Sequence, residues 1–351
     1  MVSDVCLKNY VLLLFSGITI VFIYLKQQND SNNLSFDLEV TNIENSRQNA
    51  MQYSLKLNEF KSLDSRNLIN INFQKICAKY NVTSFLERKH FLFSTKNDVL
   101  YCWIRKIAST SFTKIFSSIE NKCVTNEFYR EVEFLSPTTE LLNSVNQNNN
   151  TFKFLIVRHP FERLVSSYRD RIEDNTKFTA QAWIYVSKIF YLTRPKLFHS
   201  NSTTGGTLEK IFFNDRSNFN FRLKLVPTFQ EFVTYLIQES SDNYDHHWNQ
   251  YYKHCSLCEI NYNFILKLDN NSPKEIEYIS SKLNLPKETL INHQATTDFH
   301  RTCKYFKKLS CETILQLYEK YKIDFEMFDY KVENYLQCCN KKRKIHKNIV
   351  L

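Results

Sequence analysis

Residues 152–171 read FKFLIVRHPFERLVSSYRDR, and the change of period inside this stretch decides the fold. Phe154, Leu155, Ile156 and Val157 form a short apolar run of the kind that makes a fully buried strand. Arg158 stands where that strand ends. His159-Pro160 breaks it, and Pro160 suits the first turn of a helix because the missing N–H is one the helix would leave unpaired. Helical spacing then takes over, with Leu164, Val165 and Tyr168 on the core side. A helix N-terminus offers spare N–H groups and a positive dipole end to an anion. Arg158 at the strand end and Ser166 on the helix are therefore candidates to close on one phosphate, the arginine bidentately. The bland alternative is an ordinary strand and helix bearing surface arginines.

A second segment of the same design lies upstream. Asp98 to Ile104 (DVLYCWI) alternates as a strand does, and Arg105-Lys106-Ile107-Ala108-Ser109-Thr110 leads into a helical stretch ending near Ile119. Small residues, hydroxyls and one lysine ahead of a helix N-terminus can hold a phosphate or sulfate through backbone N–H groups and a point charge. The chain has only three glycines, Gly17, Gly205 and Gly206, so a GxxxxGK[ST] triphosphate loop is excluded here and everywhere else. The ligand is expected to be a nucleotide other than ATP.

These residues resemble the Golgi carbohydrate sulfotransferases that include the chondroitin, dermatan and N-acetylgalactosamine 4-O-sulfotransferases. The family's 5′-phosphosulfate loop reads like PKVACTNWKR after a YC strand. Here Tyr101-Cys102 precede RKIASTSFTK, which keeps Lys106, Ala108 and Thr110 and departs at Arg105, Ser109, Ser111 and Phe112. The family's 3′-phosphate motif, RHPFERLVSAYRD, matches Arg158 to Asp170 almost without change, with Arg158 and Ser166 on its phosphate-binding positions. Further elements match at Pro227 to Leu236, His247-Trp248, Cys255-Ser256-Leu257-Cys258, Tyr262 to Lys267 and Leu317 to Tyr330. The likeness spans roughly residues 75 to 335. It implies 3′-phosphoadenylyl sulfate as sulfuryl donor, held by Arg105, Lys106, Ala108, Ser109, Thr110, Arg158 and Ser166. It also implies an acidic glycan acceptor, chondroitin or dermatan, sulfated at the 4-position of N-acetylgalactosamine.

The rest of the chain is consistent with that assignment. Strand and helix alternate from residue 98 onward, with further helices near 228–239, 273–283 and 312–321. This predicts an α/β fold, a mostly parallel sheet with flanking helices and the ligand at the carboxyl ends of its strands, preceded by one N-terminal transmembrane helix. Residues 10–25 are uncharged between Lys8 and Lys26, and would span about 24 Å as a helix. A cleaved signal peptide is the alternative, although no A-x-A site follows. The expected organisation is a cytoplasmic tail (1–9), a signal anchor (10–25), a polar lumenal stem (26–72), a catalytic domain (73–340) and a basic tail (341–351), in a type II Golgi membrane protein. Six N-x-S/T sequons, at Asn29, Asn33, Asn81, Asn149, Asn201 and Asn270, lie beyond the apolar run, as do nine of the ten cysteines. Nine is odd, so at least one is left over, and Cys102 in mid-strand is the expected buried thiol. Cys255-x-x-Cys258 lacks a second pair at zinc spacing and reads as disulfide-bonded. Asn143 to Asn150 and Ser200 to Gly206 read as surface insertions, and the aromatic run from Phe178 to Phe198 as core.

The formal net charge of +10 calls for an anionic partner. A lumenal domain does not meet nucleic acid, so a polyanionic glycan fits better; the run Lys341 to Lys347 is either a solvated tail or a weak glycan contact. Sulfuryl transfer needs a fixed cation at the charge that builds on the bridging oxygen, a role Lys106 can fill, and requires no metal. The hydroxyl must also lose a proton. Of nine histidines, His247 beside Trp248 is the candidate base, against the alternative of a packed ring that caps local structure. A membrane-tethered glycan-binding protein with a degenerate cofactor site is the competing reading. Retention on immobilised adenosine 3′,5′-bisphosphate separates the two.

Overall fold

The structure is a computed structural model that describes residues 71–83, 85–122, 127–176, 179–199, 225–268, 273–286 and 298–339. The chain divides into two units, Met1–Leu68 and Ile69–Leu351, and every described residue belongs to the second. The expected tail, signal anchor and basic C-terminus, nearly all of the stem and the loop Ser200 to Gly206 lie outside the described residues, as do Cys6, Cys123, Phe178 and His346. Among the described residues no helix is long and apolar enough to cross a membrane.

Four strands form one sheet in the order β1 (Phe91–Ser94), β2 (Val99–Cys102), β3 (Phe152–Val157) and β4 (Phe264–Lys267). β1 and β2 make an antiparallel hairpin whose turn passes through Asp98 at a left-handed φ of 51°. β2 runs parallel to β3, with Cys102 opposite Leu155, and β3 parallel to β4, with Val157 opposite Lys267. The expected parallel sheet is present, with an antiparallel edge strand added. Every residue of β3 is buried, as expected of a strand covered on both faces. Even Lys153 is 2% exposed, its Nζ donating to the Asn148 carbonyl at 2.6 Å.

Between β2 and β3 lie α1 (Ser109–Ile119), α2 (Phe128–Leu135) and α3 (Thr139–Gln147). The expected insertion from Asn143 to Asn150 is corrected here. Its first half is α3, which Thr138 caps at the Leu141 N–H and which buries Leu142 and Val145 at i, i+3 spacing. Asparagines on the outer face masked that pattern. After β3 come α4 (Pro160–Tyr168), α5 (Ala180–Thr193) and α6 (Phe229–Gln238), the last closed by a capping box between Thr228 and Glu231. Beyond β4 are α7 (Pro273–Lys282), α8 (Phe299–Phe306) and α9 (Cys311–Met327). On α5, Tyr185, Val186, Ile189 and Phe190 face the core as expected, whereas Ile184, Tyr191 and Leu192 are exposed. One apolar cluster packs on the sheet; a second gathers α4, α6, α8 and α9 around Phe161, Phe232, Trp248 and Phe325.

Four disulfides tie these layers: Cys77–Cys258, Cys102–Cys255, Cys303–Cys338 and Cys311–Cys339. Cys102 is thus not a buried thiol. It faces Cys255 across the core, and single-strand reading could not see a partner 153 residues away. The two cysteines of the CxxC element go to separate partners, which removes them as a zinc pair. Among the described residues no cysteine is free. Loops this long lose much denatured-state entropy when closed, on the order of 4–5 kcal/mol each in the chain-entropy account.

Candidate active site

The two candidate anion-binding segments leave neighbouring parallel strands at the same end, so their loops open side by side. After β2 the chain turns through Lys106 (φ 69°) and Ala108 (φ 53°), both left-handed, and enters α1 with no side chain capping its first turn. Successive left-handed turns ahead of an uncapped helix leave N–H groups pointing outward, the geometry of an anion nest. Ser109 is buried in the first turn, where its carbonyl accepts from the Thr113 hydroxyl; Thr110 is exposed.

After β3, His159 caps α4, its Nδ1 accepting from the Phe161 N–H at 3.2 Å, with Pro160 in the first turn. This ring is packed among Phe161, Phe325, Tyr330 and Tyr335 and shapes the loop. Glu162 and Ser166 share one face of α4, and Arg158, between β3 and the helix cap, reaches over to that face through Glu162. Arg158 is 3% exposed, and its Nε donates to Glu162 at 3.1 Å while Tyr335 donates to the other Glu162 oxygen at 2.9 Å. Ser166 is also buried.

Arg163, a residue the sequence reading passed over, stitches the two segments together. Its Nε donates to the Arg105 carbonyl at 3.1 Å, and its two Nη atoms donate to the carbonyls of His246 and Asn249. A second bridge joins Lys106 Nζ to Asp170 at 3.0 Å, in the π-helical turn Arg169–Glu173 that continues α4. A π turn widens the helix locally and re-aims its side chains, and such turns recur at functional sites. The structure thus brings Lys106 and the Arg158 segment to one place through contacts made by residues within the quoted motif.

The Arg105 guanidinium lies 3.5 Å from the Phe128 ring centroid and 4.6 Å from that of Tyr129. Burial pulls its pKa below the ordinary value, although it remains charged. Two buried guanidinium atoms, Arg105 Nε and Arg158 Nη2, have no hydrogen-bond acceptor among the described residues. A buried donor left unpaired costs about 1–3 kcal/mol, more when charged. An anion with two separated phosphoryl-type groups would satisfy both, so the residues present fit a donor such as 3′-phosphoadenylyl sulfate.

His247 is 1% exposed. Its Nδ1 meets Asp245 Oδ1 at 2.5 Å, the same oxygen that accepts from the His247 N–H at 2.9 Å. Burial alone would raise the Asp245 carboxyl, but the hydrogen bonds from His247 outweigh it and hold the group below its usual value. The imidazole moves down to about 4: burial dominates, the hydrogen bond and charge of Asp245 offset it only in part, and the charges of Arg171 and Arg105 add smaller downward pushes. At neutral pH the ring is therefore uncharged, with Nδ1–H given to Asp245 and Nε2, which has no partner among the described residues, free to accept a proton. Asp245 stands two residues before His247, a spacing visible in the sequence but too common to single out.

A cavity of about 840 Å³ opens beside the first loop, with Lys89, His90, Trp103, Tyr129, His246 and Lys253 among its lining residues. Tyr129 and Trp103 are also the rings against which Arg105 rests, so cavity and loop share a wall.

The sulfotransferase family matches residues 89–331, which include both loops, all four strands of the sheet and the whole of α9. The chain belongs to that family and is an enzyme of its class. Among similar proteins, carbohydrate sulfotransferase 11 of Mus musculus is 28% identical over 268 residues, 71% of this chain and 69% of that one. Carbohydrate sulfotransferase 10 of Xenopus laevis is 27% identical over 69% of this chain and 68% of its own length, and carbohydrate sulfotransferase 14 of Danio rerio 22% identical over 76% and 71%. No solved structure matches the chain.

Proposed function

We propose that this enzyme transfers a sulfuryl group from 3′-phosphoadenylyl sulfate to a hydroxyl of an acidic glycan, the 4-position of N-acetylgalactosamine in chondroitin or dermatan. The observation that carries the reading is the pair of anion-binding loops at adjacent strand ends, joined by Arg163 to Arg105 and by Lys106 to Asp170. The names of the similar proteins support a carbohydrate acceptor. When bound, the donor supplies an activated sulfuryl group and a nucleotide phosphate as leaving group.

The uncapped N-terminus of α1, with Arg105, Ala108, Ser109 and Thr110, holds the 5′ side of the donor, while Arg158 and Ser166 anchor its 3′-phosphate. Lys106 places its ammonium against the charge that grows on the leaving oxygen. His247 Nε2 takes the proton of the acceptor hydroxyl, and Asp245 holds the ring in the tautomer that can do so. The cavity walled by Tyr129 admits the sugar. Positioning and fixed charge carry the rate. The test is incubation of the secreted catalytic domain with sulfur-labelled donor and a panel of desulfated glycosaminoglycans, followed by disaccharide analysis. Label in the 4-sulfated N-acetylgalactosamine disaccharide is expected. Label confined to another position overturns the acceptor assignment, and no transfer to any glycan overturns the activity.

Arg158→Ala removes a charge-assisted phosphate contact worth on the order of 1.5–3 kcal/mol, so affinity for adenosine 3′,5′-bisphosphate is expected to fall about ten- to over a hundredfold. That change also strands Glu162 without its cation. Arg158→Lys keeps the charge but not the planar fork, and should still lose about tenfold. Calorimetry showing wild-type binding in both variants would remove Arg158 from the site.

A further inference from the structure

The strongest unexplained feature is a cluster of three histidines at the cavity, of which His90 and His246 line the wall and His254 is buried against His90. His90 ends the turn before β1, His246 lies in the loop after α6, and His254 ends the helical turn Tyr251–His254. One ring nitrogen from each lies within 4.8 Å of the others. The His90 and His254 rings stack at 3.7 Å between centroids, with His246 edge-on to both at 5.7 Å. Three imidazoles from separate segments seldom meet by packing alone, since each brings polar nitrogens that need partners.

Two of those nitrogens have none. His254 is 1% exposed, and its Nε2 lies 2.7 Å from the Trp103 carbonyl, an oxygen that can only accept. Nε2 therefore carries the proton and Nδ1 presents a lone pair. That Nδ1 is buried without a hydrogen-bond partner, and so is Nδ1 of His90. A histidine fixed by an outer carbonyl with its other nitrogen bare is the usual state of a metal ligand awaiting its ion. The carboxylates of Glu87, Glu133 and Asp242 line the same cavity, where Glu133 pairs with Arg88 and Lys89 and Asp242 with Lys253, while Arg163 brings a further positive charge near His254.

We infer that His90, His246 and His254 form a three-histidine site for a zinc-type divalent cation, open toward the cavity at its fourth position. Imidazole is the natural ligand for zinc, and three protein ligands with one open position is the arrangement of sites that bind a water or a ligand oxygen. Zn–N bonds of about 2.0–2.1 Å require the stacked His90 and His254 rings to turn out of their stack so that their lone pairs converge on one point. The site opens on the cavity proposed to admit the sugar, and His246 adjoins His247, but the inference rests on the three imidazoles and not on the transfer assignment.

The test reads metal, not activity. The full chain, stripped with chelator and dialysed against buffered zinc, is expected to retain about one zinc per chain by elemental analysis. Cobalt in its place should show the intense visible bands of a four-coordinate nitrogen site. His246 is exposed, so His246→Ala should fold normally, and zinc affinity should fall by at least ~100-fold, beyond the loss typical of an outer-shell change. His300→Ala, an exposed histidine elsewhere, should bind as wild type does. Zinc absent from the wild type, or bound equally by His246→Ala, overturns the inference.

Discussion

Lys106→Ala is expected to lower kcat by about 10²- to 10³-fold while binding of adenosine 3′,5′-bisphosphate stays near wild type. The argument begins with the backbone. Lys106 sits at φ 69° in a turn that throws its side chain toward α4, where Asp170 receives the ammonium at 3.0 Å. The pair is about one-fifth exposed on each side, so its own contribution to stability is small and its loss should not unfold the loop. Alanine also has a Cβ, so the left-handed backbone is no harder to hold. On the proposed mechanism, what alanine removes is a positive charge at the place where negative charge appears only in the transition state. Such a loss falls on kcat, whereas removal of Arg158 falls on donor affinity. Lys106→Arg should recover part of the rate by restoring charge without the compact ammonium. Label-transfer kinetics with a parallel melting curve decide the matter: a folded Lys106→Ala enzyme of normal kcat would take the lysine out of the reaction.

Much of this was legible in the chain because it is local. The strand at 152–157, the proline that starts α4 and the left-to-right order of loop and helix all follow from short-range period and punctuation. The contacts that make a site of these pieces are not local. Arg163 reaches Arg105 across 58 positions, and Cys102 finds Cys255 across 153. Neither pairing leaves a trace in periodicity. β1 and β4 were missed for another reason: each has only four residues, and FLFS and FILK are too short to separate strand from helix by pattern. The histidine cluster was hidden in the same way, since His90 and His246 come together only after the sheet and the 244–254 segment have packed. His159 was the opposite case. Its place before Pro160 marked it as a loop-shaping residue, and it caps α4.

His247→Gln carries the second large effect, a fall in kcat of ~10² to 10⁴ with donor affinity kept. Glutamine is chosen over alanine because His247 is buried and Asp245 would otherwise lose its donor; an amide N–H can replace that hydrogen bond but cannot take a proton. The pH dependence gives an independent check. With the imidazole held down at about 4, the base is neutral across the neutral range, so kcat/KM should be flat there and decline only as pH falls toward 4. An ordinary exposed histidine would place that limb near 6.5. Stability moves with the same group. Its folded pKa is lowered, so its contribution is present above the unfolded value of about 6.5 and is lost as pH drops from there toward 4. Circular dichroism at each pH therefore has to accompany the kinetics, to keep unfolding apart from protonation of the base. The glutamine variant should lose both the acid limb and this part of the stability slope. If it retains wild-type kcat, His247 serves packing and the proton leaves by another route; if activity falls only in step with a lower melting temperature, the ring is structural.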